Sequence, residues 1–283
     1  MTQGVLLFAN NNPEVDYIKQ AVYCAKRIKQ YLNVEVAVAT KDAGYLASAF
    51  PYYSKYIDHI IETQPSDSKQ IKRFRDGKYA ERKLEWDNFQ RSTCYDLSPF
   101  DQTLVMDTDY IICNDHLKNC FDTTESFMIY KKFYDLGNRH LPDLEMVSDK
   151  SIPMYWATVF YFDKSEQSKM FFDLVSHIKD QWPFYRLMYQ IPNNNFRNDF
   201  AFSIAIHMIN GFQQGDWPKQ LPGKMFMTLD YDILHEAKDN RFKFLIDNKL
   251  DGNYTAASVD NCNVHIMNKF GLSRHIDSEL VNE

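Results

Sequence analysis

The segment that most constrains the fold of this chain is TLVMDTDYIIC at residues 103–113. Its opening residues predict a buried strand, because a short apolar run bounded by turn-forming residues is typical of one. Asp107 and Asp109 follow, and residues i and i+2 of an extended chain point to the same side. Two neighbouring carboxylates repel each other and are costly to remove from water unless a cation lies between them. Oxygen ligands suit Mg²⁺ or Mn²⁺, so the segment predicts a metal site at the end of a core strand.

Alternating strands and helices are predicted ahead of this segment. Residues 4–9 and 34–39 predict two buried strands and residues 56–62 a third, with an amphipathic helix between the first two. This alternation indicates a parallel sheet covered by helices, and ligands of such sheets bind beyond the carboxyl ends of the strands. The asparagines at residues 10–12 and the acidic pair are therefore expected to line one cleft. The asparagines also fit plain turn chemistry, with Asn12 capping the helix.

The densest basic segment is residues 69–91, which contains eight Lys and Arg residues and four Asp and Glu residues. The pattern predicts a helix from Tyr79 onward. Most of its charges are expected on a solvated face. Lys83 and Arg91 are eight residues apart and so near one face, and we expect these two to approach a diphosphate.

The second half of the chain predicts further strands and helices. Helices are expected over residues 115–121, over residues 165–180 and from residues 196–200, strands over 152–162, 225–229, 242–246 and 263–268, and an irregular segment holding a lid over 125–144. Asp199, at a helix start, fits either a helix cap or a functional carboxylate. His265, in a short apolar run, fits either a core histidine or a metal ligand.

Composition narrows the class of protein. The net charge of −6 argues against general binding to nucleic acid or membrane surfaces. The five scattered cysteines form no C-x-x-C pair, which favours a reducing compartment. With no signal-peptide pattern and no apolar run of about 20 residues, a cytoplasmic location is expected.

The ordered set of motifs resembles the GT-A fold glycosyltransferases, in particular the family-8-like enzymes. The segment SPFDQTLVMDTDY at residues 98–110 resembles their D-x-D segment, and it follows Arg91 and Tyr95 as a basic and aromatic helix does there. WATVFYF at residues 156–162 resembles the next strand, although Ala157 and Thr158 replace its small polar and glycine residues. Asn198-Asp199 occupies the place of a later acidic motif, and VHIMNK at residues 264–269 resembles the late histidine segment. Phosphatases that carry D-x-D place it after their first strand, and sugar-nucleotide pyrophosphorylases carry a glycine-rich loop there, so neither class fits.

The resemblance implies a fold and a domain plan. It implies an α/β, GT-A (Rossmann-like) fold with a mixed, mostly parallel central sheet flanked by helices. Residues 1–270 would form the glycosyltransferase domain, with a nucleotide-sugar-binding half at 1–113 and an acceptor half at 114–270. Residues 271–283 would form a C-terminal tail.

The resemblance also implies roles for individual residues. The metal ligands would be Asp107, Asp109 and His265, and the nucleotide-sugar donor would contact Ala9, Asn10, Asn11, Asp107, Thr108 and Lys269. Asp199 would act near the acceptor as a base or a positioning carboxylate, beside Trp156, Thr158 and Asn198.

The implied reaction is transfer of a hexosyl or pentosyl group from a nucleotide sugar, a UDP-sugar, to an acceptor hydroxyl with Mn²⁺ or Mg²⁺. The acceptor is left open among a glycan, a small molecule and a hydroxymethylated phage DNA base, the last a nucleic-acid partner. Retention or inversion is equally open. The alternatives are a sugar-phosphate nucleotidyltransferase and a catalytically silent sugar-nucleotide-binding module.

Overall fold

The computed structural model describes residues 1–64, 70–86, 89–149, 151–238, 240–248 and 252–280. In chain order, the strands of these residues are β1 Gln3–Phe8, β2 Glu35–Thr40, β3 His59–Glu62, β4 Gln70–Asp76, β5 Ala80–Trp86, β6 Gln102–Met106, β7 Tyr110–Ile111, β8 Phe127–Tyr130, β9 Phe133–Asp135, β10 Trp156–Asp163, β11 Lys219–Gln220, β12 Met225–Thr228, β13 Ile233–Lys238, β14 Arg241–Asn248, β15 Asn253–Asp260 and β16 Val264–Ile266. The α-helices are α1 Tyr17–Tyr31, α2 Ala43–Ala49, α3 Cys94–Leu97, α4 Pro142–Glu145, α5 Glu166–Asp180, α6 Trp182–Met188, α7 Asn198–Ile209 and α8 Lys269–Leu280. Short 3₁₀ helices cover Tyr53–Lys55, Phe89–Thr93 and His116–Asp122.

The central sheet has seven strands in the order β11-β8-β10-β6-β1-β2-β3. Every strand runs in one direction except β10, which is antiparallel to both of its neighbours. Strands β1, β2 and β6 are apolar along almost their whole length and are buried, as expected for strands covered on both faces. The predicted mixed, mostly parallel sheet flanked by helices is therefore confirmed.

The direction of the strands brings several chain segments to one edge of the sheet. The carboxyl ends of β1, β2 and β6 lie together because these strands are parallel. The antiparallel β10 begins at the same edge, where the Asp107 backbone N–H donates to the Thr158 carbonyl over 2.8 Å. Ligand-binding loops of an α/β sheet gather at such an edge.

A second sheet, in the order β7-β16-β12-β9, continues from the acidic pair. Strand β7 begins one residue after Asp109 and pairs with β16, with His265 opposite Tyr110. The Ile266 N–H also donates to the Asp109 carbonyl over 2.9 Å. This pairing carries His265 from the far end of the sequence to the acidic pair.

Several predicted elements are confirmed with small shifts. Strands β1, β2, β3, β10, β12, β14 and β16 and helices α1, α5 and α7 lie where the sequence predicts them, and a 3₁₀ helix replaces the short helix over residues 115–121. Helix α1 is capped by Asp16, whose carboxylate accepts from the Lys19 N–H, and not by Asn12. The chain reaches the helix four residues later than predicted because Asn12 closes a turn onto Glu14 and Val15.

The helix predicted from Tyr79 onward is wrong: β4 and β5 form an antiparallel hairpin. Gly77, at the turn, has a φ of +72°, a left-handed conformation that favours glycine and ends a regular pattern. Phe74 and Leu84 each lie between charged residues, and this alternation has the period of a strand. Both side chains are buried against Val15. Lys83 and Arg91 therefore do not share a helix face. Lys69 and Asp87 of the basic segment lie outside the described residues.

The irregular lid predicted over residues 125–144 is also wrong. Strand β8, with sequence FMIY, is wholly buried in the central sheet, and β9 joins the second sheet. The β8 run is too short to separate from a loop by periodicity, and its partners β10 and β11 lie far away in the chain.

The domain division at residues 113 and 270 stays a prediction. Residues 269–280 form α8, in which Leu272 and Ile276 are buried, and residues 281–283 lie outside the described residues. Within the described ranges, no helix is both long and apolar enough to cross a membrane.

Candidate metal and donor site

A cavity of about 650 Å³ opens at the carboxyl edge of the central sheet. Its walls come from the turn after β1, the β4–β5 hairpin, the acidic pair, the start of β10, the loop before α7 and the link from β16 to α8. The predicted site residues that line it are Asn10, Asn11, Arg91, Asp107, Thr108, Asp109, Trp156, Thr158, Asn198, Asp199, His265 and Lys269. Segments as far apart in the sequence as Asn10 and Lys269 therefore meet at one place.

Two predicted site residues do not line this cavity. Ala9 is fully buried beneath it. Lys83 pairs with Arg73 across the hairpin, on the face opposite the buried Leu84. The helix that would have turned Lys83 toward a diphosphate does not form.

Three potential metal ligands converge in the cavity. One ligand atom from each of Asp107, Asp109 and His265 lies within 4.8 Å of the other two. Asp109 and His265 are buried, at 1% and 5% exposure, and Asp107 is partly exposed. The distance from Asp109 Oδ2 to His265 Nε2 is 3.3 Å.

The donor set fits a divalent cation. Two carboxylates and one imidazole provide oxygen and nitrogen ligands, and three protein groups leave coordination positions for a substrate. His265 Nδ1 is buried and has no hydrogen-bond partner among the residues that the structure describes. The imidazole is thus not fully engaged by the protein.

Each carboxylate of the acidic pair forms an ion pair with a basic side chain. Arg91, buried in the 3₁₀ helix before α3, forms an ion pair with Asp107 and also donates to the Ala157 carbonyl. Lys269, the first residue of α8, forms an ion pair with Asp109. Burial would raise the pKa of Asp109, but the charges of Lys269 and His265 outweigh it and hold that pKa well below its usual range.

The same coupling keeps Lys269 charged. Burial would lower the pKa of its ammonium group, and the charge of Asp109 more than offsets this, so the pKa is raised. The cavity therefore holds fixed charges of both signs before any ligand binds. Such pre-organised charge is what stabilises a charge that develops during a reaction.

Tyr17 is a cavity residue that the sequence analysis missed. Its ring centroid lies 5.6 Å from Lys269 Nζ, and its hydroxyl is buried without a hydrogen-bond partner in the described part of the chain. Burial raises the pKa of this hydroxyl to about 12, so it stays protonated and can donate. Tyr17 lies one residue after the helix cap Asp16, and the sequence alone indicates only that it belongs to an amphipathic helix.

The hairpin supplies another wall that the sequence analysis missed. Lys72 Nζ lies 5.1 Å from the Trp86 ring centroid and 5.7 Å from that of Phe74, and all three line the cavity. Lys72 and Phe74 before Gly77, and Leu84 and Trp86 after it, are each two residues apart, which is the spacing of side chains on one face of a strand. This spacing was the available signal for the hairpin.

The asparagine run serves mainly the turn chemistry considered above. The Asn10 side-chain oxygen accepts from the Lys41 N–H over 2.9 Å, and that of Asn11 accepts from the Ile18 N–H over 3.0 Å. Asn12 accepts from the N–H groups of Glu14 and Val15. The side chains of Asn10 and Asn11 still line the cavity, with their amide NH₂ groups left as donors.

Asp199 fixes the start of α7 against the central sheet. Its Oδ1 accepts from the Ala157 N–H over 2.9 Å, and its Oδ2 accepts from Arg197 Nη2 over 2.7 Å. It thus ties the helix to β10 through a side-chain bond that a simple cap would not make. A role for Asp199 in acceptor chemistry stays a prediction.

Comparisons with known proteins find distant likenesses. No family model matches the sequence, and neither does any curated protein. The glycosyltransferase GlyE of Streptococcus pneumoniae TIGR4 aligns with a TM-score of 0.45 and 12% identity, over 78% of this chain and 45% of that chain. The galactosyltransferase LgtC, in complex with donor and acceptor sugar analogs, aligns with a TM-score of 0.43 and 10% identity, over 71% of this chain and 70% of that chain. This chain spans less than half the length of the GlyE chain, and likenesses at this level are too remote to assign an activity.

Proposed function

We propose that this protein is a metal-dependent glycosyltransferase that uses a nucleotide-sugar donor. The observation that carries the proposal is the Asp107–Asp109–His265 cluster, flanked by Arg91 and Lys269, at the carboxyl edge of a mostly parallel sheet. A charged cluster of this kind suits a diphosphate. A divalent cation bound there would supply Lewis-acid stabilisation of the diphosphate, which gains charge as the sugar leaves.

The residues around the cluster suggest how the donor binds. Asn10 and Asn11 after β1 would hold the nucleoside, and the Tyr17 hydroxyl would donate to the ribose or to a phosphate oxygen. Lys269 pairs with Asp109 and Arg91 pairs with Asp107, and both would add positive charge beside the leaving group. We propose UDP as the nucleotide and Mn²⁺ as the metal, since the cluster includes an imidazole nitrogen.

The acceptor side would be formed by the start of β10 and the start of α7. Trp156 and Thr158 lie on one wall and Asn198 and Asp199 on the next. Because two donors hold Asp199 in place, we propose that it positions the acceptor hydroxyl. The acceptor oxygen would bond to the sugar as the bond between the sugar and the diphosphate breaks, and its proton would pass to the departing diphosphate or to solvent.

The basic segment favours a glycan or small-molecule acceptor over a nucleic acid. In the hairpin, Arg75 pairs with Glu81 and Arg82 pairs with Glu14. Arg274 of α8 is paired with Asp76 of the hairpin. Basic residues already neutralised in this way add little attraction for a polyanion.

Donor hydrolysis tests the proposal. The protein is incubated with a panel of nucleotide sugars and Mn²⁺, and release of the nucleoside diphosphate is measured. We expect slow release from at least one donor, abolished by EDTA and by Asp109→Asn. Asp115→Asn, which alters an exposed carboxylate six residues later, serves as the control and should retain the activity. Failure of every donor in the presence of metal, or release of pyrophosphate from a nucleoside triphosphate and a sugar phosphate, would contradict it.

A further inference from the structure

Lys72 occupies an unusual position for a lysine. It projects from β4 into the cavity, half-buried over the rings of Phe74 and Trp86. No ion pair joins Lys72 to a carboxylate in the described ranges. Most basic residues of the hairpin have such a partner, so Lys72 differs from its neighbours in this respect.

The charges around Lys72 do not neutralise the positive charge of its ammonium group. Burial, followed by the positive charges of Lys269 and Arg197, lowers its pKa to about 8, and the charges of Asp109 and Asp199 offset this only in part. The groups that act on it electrostatically, or on which it acts, are Lys269, Arg197, Asp109, Asp199 and Asp230. Arg197 and Lys269 are each already paired with a carboxylate, Asp199 and Asp109 respectively.

The hairpin cannot easily move Lys72 away from these cations. At the turn end, Asp76 accepts two hydrogen bonds from Arg274, over 2.7 and 2.8 Å, and the Lys78 N–H donates to the Tyr254 hydroxyl over 3.0 Å. On β4 itself, the Ile71 carbonyl accepts from Asn195 Nδ2 over 3.0 Å. The protein thus holds Lys72 where its charge is unfavourable, and an anion placed between it and Lys269 would turn mutual repulsion into attraction to a shared partner.

We propose that Lys72 binds the diphosphate of the donor together with Lys269, and that the β4–β5 hairpin is the element that positions it. This inference rests on the proposed function. As the sugar is transferred, its bond to the diphosphate oxygen breaks and the electron pair stays on that oxygen. Lys72 would then neutralise part of the added charge. A hydrogen-bonded ion pair of this kind contributes about ten- to hundredfold to affinity.

Calorimetric titration with a nucleoside diphosphate tests this assignment. UDP, GDP and ADP are titrated into Mg²⁺-saturated protein, and the one that binds most tightly is used for the variants. The uptake that depends on Lys72, taken as the difference between wild type and Lys72→Met, should be about half a proton per ligand near pH 8 and almost none near pH 6.5, because the anion raises the Lys72 pKa. The uptake is obtained from two buffers that differ in ionisation enthalpy.

Three variants separate charge from structure. Lys72→Met should weaken binding about ten- to hundredfold and remove this part of the proton uptake, and Lys72→Arg should keep most of the affinity but lose the same part of the uptake, since arginine does not titrate there. Lys83→Met, on the other face of the same hairpin, should match wild type in both. Unchanged affinity and uptake in Lys72→Met, or equal weakening in Lys72→Arg, would overturn the assignment while leaving the proposed function intact. Failure of all three nucleotides to bind wild type would overturn both.

Discussion

Asp109→Asn is expected to remove the stabilisation that a divalent cation gives to this protein. Asp109 is 1% exposed and contacts both Lys269 and His265, so its carboxylate, the proposed metal ligand, is held in place by its neighbours. A ligand present at about 100 times its Kd stabilises the folded state by about 2.7 kcal/mol. For a chain of this size, that corresponds to a rise in Tm of about 5 °C.

The variant should also be less stable without metal. It leaves the buried Lys269 without its counter-ion, and breaking a buried ion pair costs about 3–5 kcal/mol, of which the retained amide oxygen recovers part. The readout is therefore the difference in Tm between Mn²⁺ and EDTA, measured separately for each protein by differential scanning fluorimetry. Wild type and Asp115→Asn should both show the rise, and Asp109→Asn none. An undiminished rise in Asp109→Asn would refute the assignment of Asp109 as a ligand.

Three further outcomes are expected. Asp232→Ala should lower the free energy of unfolding by about 3–5 kcal/mol in urea titrations, because this buried carboxylate accepts two hydrogen bonds from Arg139 and one each from the N–H groups of Leu229 and Asp247; a loss below 1 kcal/mol would contradict this. Tyr17→Phe should leave the Tm unchanged and weaken binding of a nucleoside diphosphate about three- to tenfold in calorimetry, because only the unpartnered hydroxyl is lost; equal affinity would show that the hydroxyl does not touch the ligand. Hydrogen bonds from Arg274 lower the pKa of Asp76, so their stabilisation is present above pH about 4 and is lost as pH falls through the lower, folded pKa. Urea midpoints measured from pH 5 down to pH 2 should fall less steeply for Asp76→Asn than for wild type, and parallel profiles would argue against this pair.

Elements whose burial shows in their own local sequence were predictable. Strands β1, β2 and β6 are apolar along nearly their full length, and α1 and α5 repeat apolar residues at helical spacing, so burial is visible in the residues themselves. The acidic pair was predictable for the same reason, because two carboxylates at the end of a core strand need a cation.

Elements that depend on distant partners were not predictable. The hairpin carries helix-compatible residues such as Glu81, Lys83 and Leu84, and only its turn at Gly77 and its packing on Val15 decide for a strand. Strand β8 was missed because its partners β10 and β11 lie about 30 and 90 residues further along the chain.

Some residues of the candidate site could likewise be predicted from the sequence, and others could not. The resemblance to known motifs led to Asp107, Asp109, His265 and Lys269, which the structure brings into one cavity. Tyr17 and Lys72 carry no motif, and their place in the cavity follows from tertiary packing alone.

We propose that Asp107, Asp109 and His265 hold a divalent cation that binds the diphosphate of a nucleotide sugar. A crystal structure with Mn²⁺ and UDP, with the anomalous signal of manganese recorded, tests it most directly. We predict one strong anomalous peak within coordination distance of both carboxylates, of a His265 nitrogen and of oxygens from both phosphates. Manganese at another place in the chain, or UDP bound in this cavity with no metal between it and the acidic pair, would contradict the claim.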